Sequence, residues 1–136
     1  EATMADTKIP EEFLDLFKNK SFAHLGTFMP DGSIQINPVW VDYDGKYVLI
    51  NTQRGRQKDI NMQRDPRVTV EIQDADNPYR YIEVRGVVAE DVEEGAEQHI
   101  DKLAKKYTGA DKYPHLGHGE VRVIYKIKPE RVLAHG

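Results

Sequence analysis

Phe22-Ala23-His24-Leu25-Gly26-Thr27-Phe28, a turn at Pro30-Asp31-Gly32, and then Ser33-Ile34-Gln35-Ile36-Asn37-Pro38-Val39-Trp40-Val41 commit this chain to a sheet. Two runs containing β-branched and aromatic residues flank a turn of Pro, Asp and Gly, which is the pattern of a hairpin. A third run, Lys46 to Thr52, follows the turn Asp44-Gly45, so the expected unit is a three-stranded meander. Beyond it a helical turn or two is expected from Arg56 to Arg64, stopping at Asp65-Pro66 because a residue before proline resists the α region. Strands are expected again at Val68 to Ile72 and Arg80 to Ala89.

The flanks supply helices. Pro10, Glu11 and Glu12 open a segment whose Phe13, Leu14, Leu16 and Phe17 make an apolar face, ending near Lys20. Later, Asp91 with Glu94 three residues on resembles a capping box, and Val92, Ala96, Ile100, Leu103, Ala104 and Tyr107 recur at helical spacing up to Gly109. Ala110 to Gly119 reads as a loop. Glu120 to Ile127 is the expected last strand of the sheet, with a short edge at Arg131 to Leu133. Six strands with helices that do not alternate with them predict a mainly β fold, a small antiparallel barrel with its helices outside.

At 136 residues the chain has the length of one domain, whose core already buries roughly two-thirds of the unfolded surface. Charged residues make up 31%, mean hydropathy is negative and apolar runs are short, so no transmembrane helix is expected. Glu1 to Pro10 lacks the cationic start and apolar stretch of an export signal, and Met4-Ala5-Asp6 looks like a natural start after three added residues. The expected location is cytoplasmic. Zero cysteines remove disulfides, thiolate metal sites and thiol nucleophiles. The serines lie outside any nucleophile-elbow context, and neither the dinucleotide glycine fingerprint nor a P-loop occurs. His115-Leu116-Gly117-His118 has metal-like spacing without a third obvious ligand, so no metal is expected. His24 is read as a satisfied, partly buried histidine.

The formal charge is −4, which argues against a nucleic-acid partner, yet its distribution is uneven. Between Gln53 and Arg67, Arg54, Arg56, Lys58, Arg64 and Arg67 oppose only Asp59 and Asp65, a local net charge of +3. A strand end, a Gly-containing loop and a helix start converge there, bringing backbone N–H groups and cations to one point. The alternatives are an anion site for a phosphate and a solvated basic helix face. Pro38, inside a strand run, must lie at an edge, at a bulge, or where a flat ligand meets the backbone. From Asn77-Pro78-Tyr79-Arg80 onward the residues alternate: Arg80, Ile82, Val84 and Gly86 on one face, Tyr79, Tyr81, Glu83 and Arg85 on the other. The second face meets either solvent or an interface.

Arg56-x-Lys58-x-x-Asn61-x-x-Arg64-Asp65-Pro66 after the third strand, with Asn77-Pro78-Tyr79-Arg80-Tyr81 entering a later one, resembles the pyridoxamine 5'-phosphate oxidase-like split-barrel superfamily of flavin and deazaflavin oxidoreductases. The likeness runs from Phe22 to Val132, including Ala104-Lys105-Lys106-Tyr107 and Arg122-Val123-Ile124-Tyr125, and is greatest to the coenzyme F420-dependent branch. It implies an FMN-binding-like, six-stranded split barrel forming a homodimer with cofactor at the subunit interface. It also implies a deazaflavin-dependent reductase that passes hydride from the reduced ring to an activated double bond of a small organic substrate. Asn37, Pro38, Val39 and Trp40 would border the ring. Thr52, Arg56, Lys58 and Asn61 would hold the phosphate side, and Tyr79 and Arg80 would reach in from the other subunit. Flavin oxidases usually carry an adjacent basic pair, whereas Gln57 here separates Arg56 from Lys58, which favours F420 over FMN. An FMN-dependent oxidoreductase on the same barrel and a non-catalytic cofactor carrier are the alternatives. No residue stands out as proton donor among Tyr79, Tyr81 and solvent.

Overall fold

Strands dominate the computed structural model, which describes residues 8–114 and 119–136 in full and the backbone of residues 2–5. They are β1 (Ala2–Ala5), β2 (Ala23–Phe28), β3 (Ile34–Val39), β4 (Asp42–Tyr43), β5 (Val48–Gln53), β6 (Arg67–Gln73), β7 (Tyr81–Val92) and β8 (Arg122–His135). A 3-10 turn at Glu11–Phe13 leads into α1 (Asp15–Lys18), followed later by α2 (Gln57–Arg64) and α3 (Ala96–Thr108). The fold is therefore mainly β with flanking helices, as expected. His115 to His118 lie outside the described residues.

Every strand pairing is antiparallel, in the order β3-β2-β6-β7-β8-β5-β4, with β1 added along the C-terminal part of β8. Eight strands among the described residues replace the expected six. Both additions are short: β1 has four residues and β4 two, too few for a period to show. The expected strand Glu120 to Ile127 and edge Arg131 to Leu133 are one continuous strand, because Pro129 sits opposite Gly86 at a shift of register where no ladder N–H is required. The meander is also corrected. β2 and β3 form the predicted hairpin, but β5 pairs with β4 and β8 at the other end of the sheet.

The two-residue period becomes one-sided burial. Val68, Val70 and Ile72 of β6 and Ile82 and Val84 of β7 are buried, whereas Glu71 and Arg85 face away. Leu25 of β2 and Ile50 of β5, from opposite halves of the strand order, share this core with Tyr125 and Ile127 of β8, so the sheet curls around it. Phe13, Leu16 and Phe17 fill one opening, as their apolar spacing predicted. Arg80 holds that segment down by donating to Asp15 and Asp74 and to the carbonyl of Glu12, its guanidinium 4.8 Å above the Phe13 ring.

The capping box at Asp91 and Glu94 does not form. β7 continues to Val92, pairing Asp91 with Tyr125, and α3 begins after Gly95 without a side-chain cap. Tertiary pairing outweighs the local signal because Asp91 is needed elsewhere: Arg54 Nη2 donates to it at 2.7 Å and Gln63 Nε2 at 3.0 Å. α3 ends at Gly109, in the left-handed region at φ 81°, as read from the sequence.

One buried carboxylate ties these parts together. Asp59, 5% exposed, accepts from the backbone N–H of Gly55 at 2.9 Å, from Arg54 Nη1 at 3.0 Å, and from the Tyr125 hydroxyl. Burial pushes its carboxyl up, but these hydrogen bonds outweigh burial and hold it below the ordinary carboxylate value. Replacing Asp59 with Ala is expected to cost about 1–3 kcal/mol at neutral pH, since the Gly55 N–H and the Tyr125 hydroxyl lose their acceptor while Arg54 keeps Asp91 and Glu93. On acidification the unfolded chain takes up its proton first, so the Asp59 contribution is lost as the pH falls through the folded value. The gap between wild type and D59A in urea titrations therefore narrows below about pH 4. At the β7–β8 bulge, a Cβ on Gly86 would lie 2.3 Å from the Lys128 carbonyl oxygen. Gly86→Ala is expected to lower stability by about 3 kcal/mol in the same measurement, through overpacking against backbone.

Candidate functional site

The anchor at Asp59 fixes the loop from Gln53 to Arg56 and the start of α2, and there the basic island sorts itself. Arg54 is consumed by Asp59, Asp91 and Glu93. Arg64 donates to the Phe28 carbonyl and to Asn61, and Arg67 pairs with Asp65 at 2.7 Å while lying 4.5 Å over the Phe28 ring. Arg56 and Lys58 remain: their side chains have no hydrogen bond or ion pair among the described residues. Arg56 is the N-cap of α2 and supplies no side-chain acceptor to the first helical N–H groups. Two cations and an uncapped helix start make an electropositive corner.

That corner opens onto a cleft of about 180 Å³. Pro38, Val39 and Trp40 at the end of β3 form one wall together with Ile100 of α3. Thr52, 3% exposed, lies on β5 beneath it. Six of the ten residues expected at a site, Pro38, Val39, Trp40, Thr52, Arg56 and Lys58, thus meet in one place. Pro38 is explained by position: β3 is the edge of the sheet, so its missing N–H interrupts no inner ladder.

Trp40 is clamped. Its ring stacks on Tyr107 at 5.2 Å and 4°, and Tyr107 stacks in turn on Phe22 at 5.5 Å. The Tyr107 hydroxyl donates to the Ser21 carbonyl at 2.8 Å and accepts from the Val41 N–H at 3.2 Å. Lys106 donates to the carbonyls of Val41 and Phe17 at 2.6 and 2.5 Å. Burial pulls its ammonium down to about 8, only partly offset by the charge of Asp42. The residues after β3 are thereby held where the chain crosses from one end of the sheet to the other.

The remaining four expected residues stand elsewhere. Asn37 is half-buried within β3, opposite Leu25. Asn61 is fully buried, donating to the Thr27 hydroxyl and accepting from Gln57, so it fastens α2 to β2. Tyr79 is 78% exposed and Arg80 is engaged with the N-terminal segment. Both adjoin Tyr81, which pairs with His135, whereas the cleft adjoins the Arg122 end of β8. Those ends are the two termini of the 14-residue strand β8, about 40 Å apart if straight.

The sequence reading missed Asn51, Ile100, Tyr113 and Arg122, which also line the cleft. Arg122 pairs in register with Gln53 and is 5% exposed, with its guanidinium 5.1 Å from the Tyr113 ring centroid. Burial pushes the Lys58 ammonium down, and the charges of Arg56 and Arg122 add to that. Burial and Arg56 likewise push the Arg122 guanidinium down. Cations crowded in this way favour an anionic occupant.

A second hollow, about 610 Å³, lies on the outer face of β2, β3, β6, β7 and β8. Exposed Ile34 and Ile36 border it, as do the pairs His24–Glu71 at 3.0 Å and Arg85–Glu83 at 2.7 Å. Four of its charged groups are thus paired with one another, and Arg67 is paired with Asp65. Among the described residues no cluster of His, Cys, Asp and Glu could hold a metal ion, and no helix is long and apolar enough to cross a membrane.

The model of the family described as Pyridoxamine 5'-phosphate oxidase matches residues 9–136. No curated protein is similar enough in sequence to be matched to this chain. Among solved structures, an F420 reductase superposes with a TM-score of 0.79 at 32% identity, over 91% of this chain and 98% of its own. A conserved hypothetical protein from Mycobacterium tuberculosis gives 0.71 at 26% identity, over 96% and 88%. HupZ of Group A Streptococcus shares the fold, with a TM-score of 0.65 at 21% identity over 91% of each chain. With this match across nearly its whole length, the chain belongs to the pyridoxamine 5'-phosphate oxidase split-barrel family, in the branch that holds the F420 reductase.

Proposed function

We propose that the protein is a cytoplasmic F420-dependent oxidoreductase, acting as a homodimer, that transfers a hydride between the reduced deazaflavin and an activated double bond of a small organic molecule. The observation carrying this reading is one cleft that joins a flat apolar wall at Trp40 to the unpaired cations Arg56 and Lys58. The residues fit the group: a planar ring suits Pro38, Val39 and Trp40, and a phosphate suits Arg56, Lys58 and the uncapped start of α2. When bound, the deazaflavin supplies the hydride chemistry. The chain's own part is to orient the ring against the clamped Trp40, neutralise the phosphate and keep water from the apolar wall.

Size supports the homodimer. A cleft of about 180 Å³ falls below the roughly 300–1,000 Å³ of ordinary ligand pockets, so a further wall is needed. Exposed Ile34 and Ile36 beside the larger hollow suit a second copy, and Tyr79, exposed and remote from its own cleft, suits the partner's. Asn61 serves the site by holding α2, Asn37 by continuing β3, and Arg80 by bracing the segment next to Tyr79. FMN is the second reading, favoured by the family's description, because the same donors match its phosphate.

Titrating the protein into oxidised F420 is expected to raise the cofactor's fluorescence anisotropy at micromolar protein, and no change up to about 100 μM would contradict the reading. Protein that is yellow as purified, or that is stabilised by FMN alone in a thermal-shift assay, would favour the second reading. Lys58→Ala and Arg56→Ala are each expected to weaken F420 binding roughly ten- to hundredfold while leaving the melting temperature close to wild type. Analytical ultracentrifugation should give twice the chain mass; a monomer at micromolar concentration would contradict the dimer.

A further inference from the structure

The amide of Asn51 on β5 is engaged at both ends. Its Nδ2 donates to the Ala96 carbonyl at 2.9 Å and to His99 Nδ1 at 3.1 Å, and its Oδ1 accepts from Arg122 Nε at 3.0 Å. A carbonyl on one side and a guanidinium on the other leave the amide one orientation. His99 Nδ1 must then be an acceptor, so the proton is on Nε2, which donates to Asp42 Oδ2 at 3.0 Å. Asp42 is fastened by the N–H of Tyr43 at 2.8 Å and by Lys102 at 3.3 Å. Although burial opposes it, these bonds keep the Asp42 carboxyl well below the usual carboxylate range. A continuous relay therefore runs from Asp42 on β4 through His99 on α3 and Asn51 on β5 to Arg122 on β8.

At its end stands a buried cation with an unspent donor. Arg122 Nη1 is closed to solvent and has no hydrogen-bond partner among the described residues; Glu120 Oε1 forms an ion pair with it at 3.8 Å, too far for a hydrogen bond, and Tyr113 engages the same guanidinium. A buried N–H without an acceptor is destabilising, and here it lies on a guanidinium that lines the cleft shared with Arg56 and Lys58. Three side chains thus aim a guanidinium that keeps one buried donor open, an arrangement suited to an acceptor that arrives from outside.

We infer that Arg122 is a third anion-binding residue of this cleft, contacting the phosphate-bearing cofactor, and that Asn51, His99 and Asp42 are the positioning residues that hold its guanidinium there. The inference rests on the reading of the cleft as a cofactor site. The fork of Arg122 supplies directional donors to an oxyanion, which the point charge of Lys58 cannot do. His99→Gln preserves the relay, because a glutamine amide can donate to Asp42 and accept from Asn51 as the neutral imidazole does.

The test is F420 affinity by fluorescence anisotropy in a double-mutant cycle, with FMN as probe should wild type bind only FMN. Arg122→Met is expected to weaken binding at least about tenfold. Asn51→Ala should weaken it about three- to tenfold in the wild-type background and negligibly in the Arg122→Met background. His99→Ala should follow Asn51→Ala, and His99→Gln should keep wild-type affinity. If Arg122→Met fails to fold, Arg122→Lys reads the same loss, since it keeps the charge but loses the fork. Wild-type protein that binds neither cofactor would overturn the cofactor reading itself. Wild-type protein that binds, with Arg122 variants within about twofold of it, would leave that reading standing and overturn the role of Arg122. Equal losses for Asn51→Ala in both backgrounds would overturn the relay.

Discussion

A carboxylate with almost no access to water, Asp59, organises the end of the molecule that matters. It draws together the end of β5 through Arg54, the turn at Gly55, and the middle of β8 through the Tyr125 hydroxyl. Gln63 and Asp91 extend the network to the far side of α2 and to β7. α2 is strongly polar and buries Asp59, Asn61 and Met62, so its place against the sheet rests on hydrogen bonds more than on an apolar face. Such networks are demanding: each member is stabilising only while the others are present. Their return is a fixed loop, and that loop places Arg56 and Lys58 beside the end of β3.

The cleft puts two unlike surfaces in contact. The aromatic stack Phe22–Tyr107–Trp40, pinned by Lys106 and the Tyr107 hydroxyl, gives a rigid flat wall. Facing it are cations that depress one another's protonation and have few acids nearby. The folded chain tolerates this repulsion because the net charge of the whole is negative and because Arg54, Arg64 and Arg67 are neutralised locally. A ring against one surface and a phosphate against the other would relieve both the exposed apolar area and the crowded charge.

Much of this was legible in the sequence and some of it was not. Period two in Val68 to Ile72 and in the run after Arg80 gave the strands and their inner faces, and Asp65-Pro66 gave the end of α2. The partner of each strand was hidden wherever pairing is long-range: nothing local in Lys46 to Thr52 says that it pairs with β8 and not β3. Asp91 read as a cap because its true partners, Arg54 and Gln63, lie far away in sequence. The same holds for Arg122, one strand residue among many until β5 and α3 supply Asn51 and His99. The family resemblance places Asn61 on the phosphate side; its side chain is turned inward to Thr27. Charge at a loop is visible in one dimension; which charges remain unpaired is a property of three.

The central claim, that the flat part of the cofactor lies against the wall at Pro38 to Trp40, has an internal reporter, since Trp40 is the chain's single tryptophan. Tryptophan emission should be recorded while oxidised F420 is added, in parallel with the cofactor's own anisotropy. The account predicts saturable quenching of Trp40 with the same midpoint as the anisotropy change. Saturated binding with Trp40 emission unaltered would contradict it, because the cofactor would then be bound away from this wall.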